Sequence, residues 1–305
     1  MASPGDRVRK AAGTNMLLLL CVCMLSVSAV PAGNQSHYVT ISPATGTLTA
    51  EAMLSQPDGM SLNATQNTVT LQDPLKEQQS AETVEGLNDD MRVQEGDILM
   101  QPQEDRNAVK RVWRDATMPY VISRALKYRK ADILSALKMI SDVTCIHFKE
   151  HSNEMSYIRF KKGRGCASFV GCRGGEQKLF FSESCSVGNL CHEVMHALGL
   201  HHEHTRKDRD EHITVQWENI EPRKKKYFKI KKGRTFGLPY DVGSIMHYGK
   251  YFFSSGRGPT LLPKQSAVAV HLGQRTHLSK LDALRLNTLY RCEERINYRA
   301  NLDAF

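Results

Sequence analysis

Long apolar runs are almost absent from this sequence of 305 residues. The one exception, Met16–Ala29 (MLLLLCVCMLSVSA), follows a basic segment that contains Arg7, Arg9 and Lys10. This run is shorter than the ~20 apolar residues that cross a bilayer, and it ends in small residues as a secretory signal peptide does. We therefore expect residues 1–29 to direct secretion, and we expect a soluble mature protein without a membrane anchor.

Aromatic and basic residues are scarce in the next part of the chain. Residues 33–90 lack sustained apolar periodicity, so we predict a propeptide or linker there rather than a packed domain. Asn34 (NQS) and Asn63 (NAT) are glycosylation acceptors, which suits an exposed segment. Residues 33–106 hold three basic and twelve acidic residues, whereas residues 107–305 hold 35 basic and 19 acidic residues.

These opposite charges predict that the two parts associate before processing. A basic domain is also compatible with nucleic acid, but we do not expect that partner for a secreted protein.

Six cysteines remain after removal of Cys21 and Cys23 with the signal peptide. They are Cys145, Cys166, Cys172, Cys185, Cys191 and Cys292. An even count in a secreted chain predicts up to three disulfides, for which the sequence alone allows 15 pairings.

Regular secondary structure is predicted from about Val112 onward. Alternating or β-rich segments predict strands, and apolar residues at helical spacing predict helices. The predicted strands are Met118–Ser123, CIHFKEH, SYIRFKKG and Lys178–Ser182, and two predicted helices are Lys130–Thr144 and Leu278–Tyr290. No internal repeat is visible. Strands mixed with helices over roughly 190 residues predict a single α+β domain of catalytic size.

The stretch Cys191–Asp210 (CHEVMHALGLHHEHTRKDRD) places histidines inside a pattern that otherwise predicts a buried helix. His192 and His196 are four residues apart, so both imidazoles lie on one helix face. Two such nitrogens can bind one Zn²⁺, with Glu193 beside them as a general base.

The pattern continues as H-E-x-x-H-x-x-G-x-x-H, with Gly199 and His202 in the last two places. Gly199 can adopt positive φ, end the helix and turn the chain so that His202 approaches the same metal. Agreement of three ligands, base and glycine makes this a strong signal. His201 and His204 lie off the pattern, and we do not expect them to bind metal.

With these motifs in place, the sequence resembles the astacin family of metzincin proteases. The resemblance rests on the extended zinc motif, on HHEHTRKDRD (His201–Asp210) and on SIMHY (Ser244–Tyr248), which resembles the family's Met-turn. It covers roughly Val112 to Cys292. It implies a zincin-like α+β fold: an N-terminal subdomain with a twisted, mostly parallel sheet and helices, an irregular C-terminal subdomain, and the zinc cleft between them.

The resemblance also implies roles for individual residues. One Zn²⁺ per subunit would be held by His192, His196 and His202, and Glu193 would take a proton from water and pass it to the leaving amine. Tyr248 would be an additional zinc ligand that can leave the metal and donate a hydrogen bond to the reaction intermediate. Met246 would pack beneath the ligands.

A zymogen latch is the next implied feature. QEGDI (Gln94–Ile98) resembles the family's F-x-G-D switch, in which a propeptide carboxylate binds the zinc, so Asp97 is the candidate and Gly96 permits close approach. Gln94 stands where the family has Phe, which weakens the expected anchoring.

Cleavage at Arg106–Asn107 by a trypsin-like protease would activate the enzyme, with Lys110–Arg111 as the competing site. The freed Asn107 amine would pair through water with Glu203. The expected division is thus signal peptide 1–29, propeptide 30–106 and peptidase domain 107–305.

Two disulfides follow from the resemblance, Cys145–Cys292 and Cys166–Cys185. The remaining Cys172 and Cys191 are expected to form a third. The alternative for Cys191 is a thiolate zinc ligand, which is disfavoured because adjacent helical residues point about 100° apart.

We therefore expect a secreted, monomeric zinc endopeptidase that acts on extracellular proteins. A catalytically silent extracellular binding protein on the same scaffold is the alternative, although every ligand and Glu193 are present. Only thirteen residues follow Cys292, so no EGF or CUB module is expected. That short form resembles hatching or digestive astacins, and egg-envelope, dietary or matrix proteins are the corresponding substrates. The Cys172 and Cys191 pair differs from the hatching enzymes' usual N-terminal pair.

Overall fold

The computed structural model describes residues 92–100, 112–264 and 271–295. Within these ranges no helix combines the length and the apolar character needed to cross a membrane. The expectations that fall outside the described residues are the signal peptide (1–29), the glycosylation sites Asn34 and Asn63, and the cleavage sites Arg106–Asn107 and Lys110–Arg111.

A short hairpin begins the described part of the chain. Strands β1 (Arg92–Gln94) and β2 (Ile98–Met100) pair antiparallel, and Glu95, Gly96 and Asp97 form the turn between them. Leu99 packs with Ala167, Phe169 and Phe180 in a small apolar cluster. Val93 of β1 packs against the same cluster, so both strands of the hairpin contact the rest of the fold.

A four-stranded parallel sheet forms the first part of the main domain. Its strands are β3 (Thr117–Ile122), β4 (His147–Glu150), β5 (Tyr157–Lys162) and β6 (Glu176–Phe181), in the spatial order β4-β3-β5-β6. Side chains alternate between faces, so Ile158 and Phe160 of β5 are buried while their neighbours are less so. All four strand predictions are confirmed, with ends that differ by at most two residues.

Two helices pack with this sheet in the principal core: α1 (Lys130–Ser141) and α2 (Val187–Ala197). In α1, Ile133, Leu137 and Ile140 are buried as their spacing predicts, whereas Leu134 is 40% exposed. The helix therefore turns a narrower apolar face to the core than its sequence suggested.

Helix α2 carries the zinc motif, and both of its ends are fixed. At its start, the Ser186 hydroxyl accepts a hydrogen bond from the Asn189 backbone, and the Asn189 side chain accepts one from the Ser186 backbone. At its end, Gly199 has φ +112°, as predicted, and a side chain would be strained there. Carbonyl groups at the end of a helix lack a donor within the helix, and here side chains distant in sequence donate to two of them. The Trp113 indole donates to Ala197 (2.8 Å) and the Tyr290 hydroxyl to Leu198 (2.9 Å).

Regular structure is sparse after α2. Only β7 (Ile213–Val215), β8 (Leu261–Pro263) and α3 (Lys280–Leu289), together with several 3-10 turns, are formed in the described C-terminal residues. A second apolar cluster, which includes Phe228, Tyr248 and Phe252, fills this part. The expected α+β architecture, with a parallel sheet followed by an irregular region, is confirmed.

The disulfide predictions are right in two cases and wrong in one. Cys145–Cys292 and Cys166–Cys185 are bonded, whereas Cys172 and Cys191 are both free thiols. The Gly171 amide donates to the His196 carbonyl near the end of α2, five residues beyond Cys191. Five residues of helix rise about 7.5 Å, more than a disulfide normally spans between Cα atoms. Cys191 is instead a buried core residue of α2, and its burial raises the pKa of the thiol.

Candidate metal centre

Three histidines and one carboxylate converge in the interior of the fold. His192 and His196 come from α2, His202 from the chain after Gly199, and Asp97 from the hairpin turn. One ligand atom from each lies within 4.8 Å of the others, and all four residues are buried. Asp97 Oδ2 lies 2.9 Å from His202 Nε2 and 3.3 Å from His192 Nε2, and the Nε2 atoms of His196 and His202 are 3.2 Å apart.

The outer nitrogens of the three rings are fixed by hydrogen bonds. His192 Nδ1 donates to the Ile245 carbonyl (2.8 Å), and His196 Nδ1 donates to the Leu200 carbonyl (2.7 Å). His202 Nδ1 donates to the Glu95 carboxylate (2.8 Å). Because each Nδ1 is used as a donor to the outside, each Nε2 is directed to the centre as a potential ligand.

The donor set fits a zinc ion. Four ligands at tetrahedral corners, ~2.0–2.1 Å from a zinc ion, would lie about 3.3–3.4 Å apart, close to the spacing found here. With Nδ1 protonated, the inward atoms are lone-pair nitrogens and carboxylate oxygens, which repel one another without a cation between them. Three imidazoles and one carboxylate, rather than an all-oxygen set, favour zinc over magnesium or calcium.

The electrostatics of the group agree with a bound cation. Burial and nearby positive charge lower the pKa of His192 well below its ordinary value, and burial also lowers the pKa of His196. These two rings are thus neutral, as metal ligands must be. Burial opposes a charge on His202 as well, but the carboxylates of Asp97 and Glu95 raise the pKa of His202 to about 9. A positive charge beside His202, whether a proton or a metal ion, is therefore stabilised by these two carboxylates.

The hairpin turn bears two buried carboxylates rather than the one that the sequence indicated. Glu95 and Gly96 have positive φ values of 57° and 86°, which brings the side chains of Glu95 and Asp97 to the histidines. Glu95 contacts His202 Nδ1 and forms an ion pair with the Lys231 ammonium. The sequence analysis assigned no role to Glu95 or Lys231. Glu95 could have been identified as a second carboxylate two residues before Asp97, but no sequence feature marks Lys231.

Glu193 and Met246 are both buried near the three histidines. Glu193 is fully buried on α2, three residues before His196 and hence on a neighbouring part of the same face. Met246 is buried beside the ligands, and its carbonyl accepts a hydrogen bond from the Glu203 amide (3.0 Å).

Tyr248 packs its ring against His202, with centroids 4.6 Å apart. Its hydroxyl donates to the backbone carbonyl of Glu95 (2.6 Å). In this form of the protein the side chain thus contacts the hairpin.

The histidines outside the zinc motif lie in other surroundings. His204 is buried, stacks on Tyr248 and bonds to the Tyr227 carbonyl, and His247 bonds to the Tyr240 hydroxyl. His201 lines a cavity beside the centre. Together with Cys191, these three residues lie outside the four-residue group among the residues that the structure describes.

Two residues of α3 support the centre, and sequence reasoning missed both. Asp282 accepts hydrogen bonds from the Ser244 hydroxyl (2.6 Å) and the Ile245 amide (2.9 Å), which holds the turn whose carbonyl contacts His192. The Ser279–Asp282 capping box is the sequence feature that could have drawn attention to Asp282. Arg285 donates to Glu203 Oε1 (2.6 Å), and no short-range pattern marks that pairing.

The sequence of this chain is similar to those of known proteins. A sequence model of the Astacin peptidase family matches residues 105–291. Low choriolytic enzyme of Oryzias latipes is 38% identical over 178 residues, which cover 57% of this chain and 65% of that protein. Zinc metalloproteinase nas-15 of Caenorhabditis elegans is 38% identical over 195 residues, which cover 61% of this chain and 34% of that protein. The chain spans less than two thirds of the length of either relative.

A solved structure is also similar. High choriolytic enzyme 1 of Oryzias latipes, described as a hatching-enzyme zinc protease, aligns with a TM-score of 0.57 and 34% identity. The alignment covers 62% of this chain and 98% of that chain.

The buried pair of Arg285 and Glu203 generates a pH-dependent prediction. Burial raises the pKa of Glu203 to about 7, against the opposing effect of Arg285 and Arg206. This raised pKa stabilises the fold most below pH ~4.5, and the contribution is lost as pH rises through ~7. Arg285→Met leaves an ionised, buried Glu203 at pH 8, so we expect a loss of about 2–4 kcal/mol in the free energy of unfolding. At pH 5.5 Glu203 is protonated and the loss should be smaller.

Urea unfolding of the variant and the parent at both pH values measures this difference. In a Glu203→Gln background, the effect of Arg285→Met should become independent of pH. An equal loss at both pH values in the parent background would contradict the assignment.

Proposed function

Because the chain belongs to the astacin family of zinc metallopeptidases, we propose that it is a secreted zinc-dependent endopeptidase that is made as a zymogen. The observation that carries the proposal is the convergence of three histidine Nε2 atoms beside a buried glutamate, with a carboxylate from the preceding hairpin at the fourth position.

In the proposed reaction, His192, His196 and His202 would hold the zinc through Nε2 as neutral imidazoles. A zinc ion with neutral ligands keeps its charge, lowers the pKa of a bound water toward ~7 and polarises a carbonyl group. Glu193 accepts the proton of the attacking water and then donates it to the leaving amine. Its burial on α2 keeps the carboxylate away from bulk water and close to the ligands.

Tyr248 has a second task in the proposed cycle. Once the hairpin is gone, its hydroxyl loses the Glu95 carbonyl as an acceptor and becomes available to the centre. The aromatic cluster around its ring, which includes Phe228 and Phe252, limits the positions that it can adopt. We assign to it a hydrogen bond that stabilises the negative charge developing on the substrate carbonyl oxygen.

Latency is proposed to come from the hairpin. Asp97 Oδ2 lies 2.9 Å from His202 Nε2, so its carboxylate would take the position that a reacting water needs, and Glu95 contacts His202 Nδ1. Backbone hydrogen bonds join Ser168 to Asp97 (2.9 Å) and Leu99 (2.8 Å), and Leu99 is buried. These contacts supply the anchoring that Gln94, only half-buried, does not provide.

Activation would divide the chain as the sequence predicts, into a signal peptide (1–29), a propeptide (30–106) and a peptidase domain (107–305). We propose cleavage at Arg106–Asn107 by a trypsin-like protease. Glu203 is buried with Arg285 and Arg206 beside it, and the cavity next to it could admit the new amine of Asn107. The catalytic unit is proposed to be a monomer.

The proposed substrates are extracellular proteins. Two of the similar proteins are named choriolytic enzymes, which makes egg-envelope proteins one class to assay beside dietary and matrix proteins.

Removal of the general base tests the proposed activity. We expect Glu193→Gln, after trypsin activation, to lose at least about 10²–10⁴-fold in casein hydrolysis because water is no longer deprotonated. The variant should keep one zinc ion per chain, as measured by metal analysis, since the three histidines are unchanged. A chelator should abolish parent activity, and added zinc should restore it.

Asp210→Asn provides a control carboxylate in the same stretch, because that side chain is largely exposed and, among the described residues, forms an ion pair with Arg209 alone. Hydrolysis that persists in Glu193→Gln, or in the chelated parent, would contradict the proposal.

The latch makes a separate prediction for the uncleaved chain. Asp97→Asn removes the charged ligand and Glu95→Gln weakens a charged hydrogen bond worth about 1.5–3 kcal/mol, so both should raise basal hydrolysis of a fluorogenic peptide by about tenfold or more. Gln94→Ala, beside them in the chain, should leave basal activity unchanged. If uncleaved Asp97→Asn protein has the same low basal hydrolysis as the parent, although trypsin still activates it, inhibition by Asp97 would be ruled out.

A further inference from the structure

One surface segment carries a dense and uniform charge that the proposed reaction does not use. No acidic residue occurs between Pro222 and Tyr240, and eight of the twelve residues from Arg223 to Arg234 are basic. We call this segment the basic strip. Its cationic residues are Arg223, Lys224, Lys225, Lys226, Lys229, Lys231, Lys232 and Arg234.

Most of these charges have no acidic partner in the part of the chain that the structure describes. Among the residues that the structure describes, Lys231 alone of the eight has an acidic side chain within ion-pair distance, and that partner is Glu95 of the hairpin. The other seven are exposed or half-buried. Seven uncompensated positive charges on so short a segment create a strong local potential that attracts anions.

The strip is held in a defined shape. Tyr227 and Phe228 are buried in the C-terminal apolar cluster, and the Phe228 carbonyl accepts a hydrogen bond from Arg209 Nη1 (2.6 Å). The Lys231 amide donates to the Thr205 carbonyl (2.8 Å). Because the backbone is fixed at these points, less order has to be imposed on binding, which favours affinity.

The strip also borders the candidate metal centre. Lys231, Lys232 and Arg234 line the same cavity as His202 and Glu203. A ligand on the strip would therefore lie next to the candidate metal centre.

The composition of the strip distinguishes the class of ligand. Protein interfaces depend on buried apolar and aromatic anchors, but the two aromatic residues of the strip face the core. What remains at the surface is mainly a row of ammonium and guanidinium groups, suited to a linear polymer of closely spaced anions. We propose that the basic strip is a docking site for sulfated glycosaminoglycans, an inference that rests on the proposed secretion of the enzyme.

Heparin binding tests this proposal without an activity assay. Both the full chain and its trypsin-activated form should bind a heparin dodecasaccharide in calorimetry at 0.15 M salt, with affinity that falls as salt rises. Lys224→Gln, Lys225→Gln and Lys226→Gln together should weaken binding by about tenfold or more, since three charge contacts are lost. Bound heparin should also protect these lysines from acetylation.

A matched control removes the same net charge elsewhere. Lys127→Gln, Lys161→Gln and Lys280→Gln, on exposed lysines without a described ion pair, should change the affinity less than threefold. Equal losses in the two triple variants would overturn the proposal, because net charge alone would explain binding.

Two further results would also overturn it. One is heparin binding by the activated form alone, which would mean that the acidic propeptide occupies the basic strip in the full chain. The other is tighter binding of a synthetic peptide of residues 82–90 than of heparin. Casein hydrolysis that depends on Glu193 is measured independently of heparin binding. A protein that does not bind heparin would therefore contradict only the docking site and not the proposed peptidase activity.

Discussion

The arrangement of three imidazoles around one point is the constraint on which the rest of this structure depends. Each ring must present Nε2 inward, so each Nδ1 needs a fixed acceptor on its outer side. For His192 and His196 these acceptors are backbone carbonyls, of Ile245 and Leu200. Backbone carbonyls can serve only if the chain after α2 and the turn at Ser244–Tyr248 are rigid.

Much of the fold can be understood as support for those two segments. Gly199 ends α2 with a backbone conformation that turns Leu200 and His202 back toward the helix. Trp113 and Tyr290 donate hydrogen bonds to carbonyls at the end of α2 that have no donor within the helix. Asp282 of α3 holds Ser244 and Ile245, so the C-terminal helix contributes to the position of His192 although it is far away in sequence.

The sequence predicted those features that short-range periodicity and motif spacing determine. The four strands of the parallel sheet and helices α1 and α3 lie within three residues of their predicted ends, whereas β1, β2, β7 and β8 were not predicted. His192, Glu193, His196 and His202 were named as candidates from one stretch. The pairings of Glu95 with Lys231 and of Glu203 with Arg285 were not predicted, because each joins charges separated by more than 80 residues. The proposed Cys172–Cys191 bridge was wrong because counting cysteines ignores where along α2 the loop meets the helix.

X-ray absorption spectroscopy of zinc-loaded full chain tests the central claim most directly. We predict three imidazole nitrogens and one carboxylate oxygen at ~2.0–2.1 Å from the zinc ion, with the oxygen shell altered in Asp97→Asn. A sulfur scatterer near ~2.3 Å, or fewer than three imidazoles, would contradict it, because a ligand such as Cys191 would then replace the group described here.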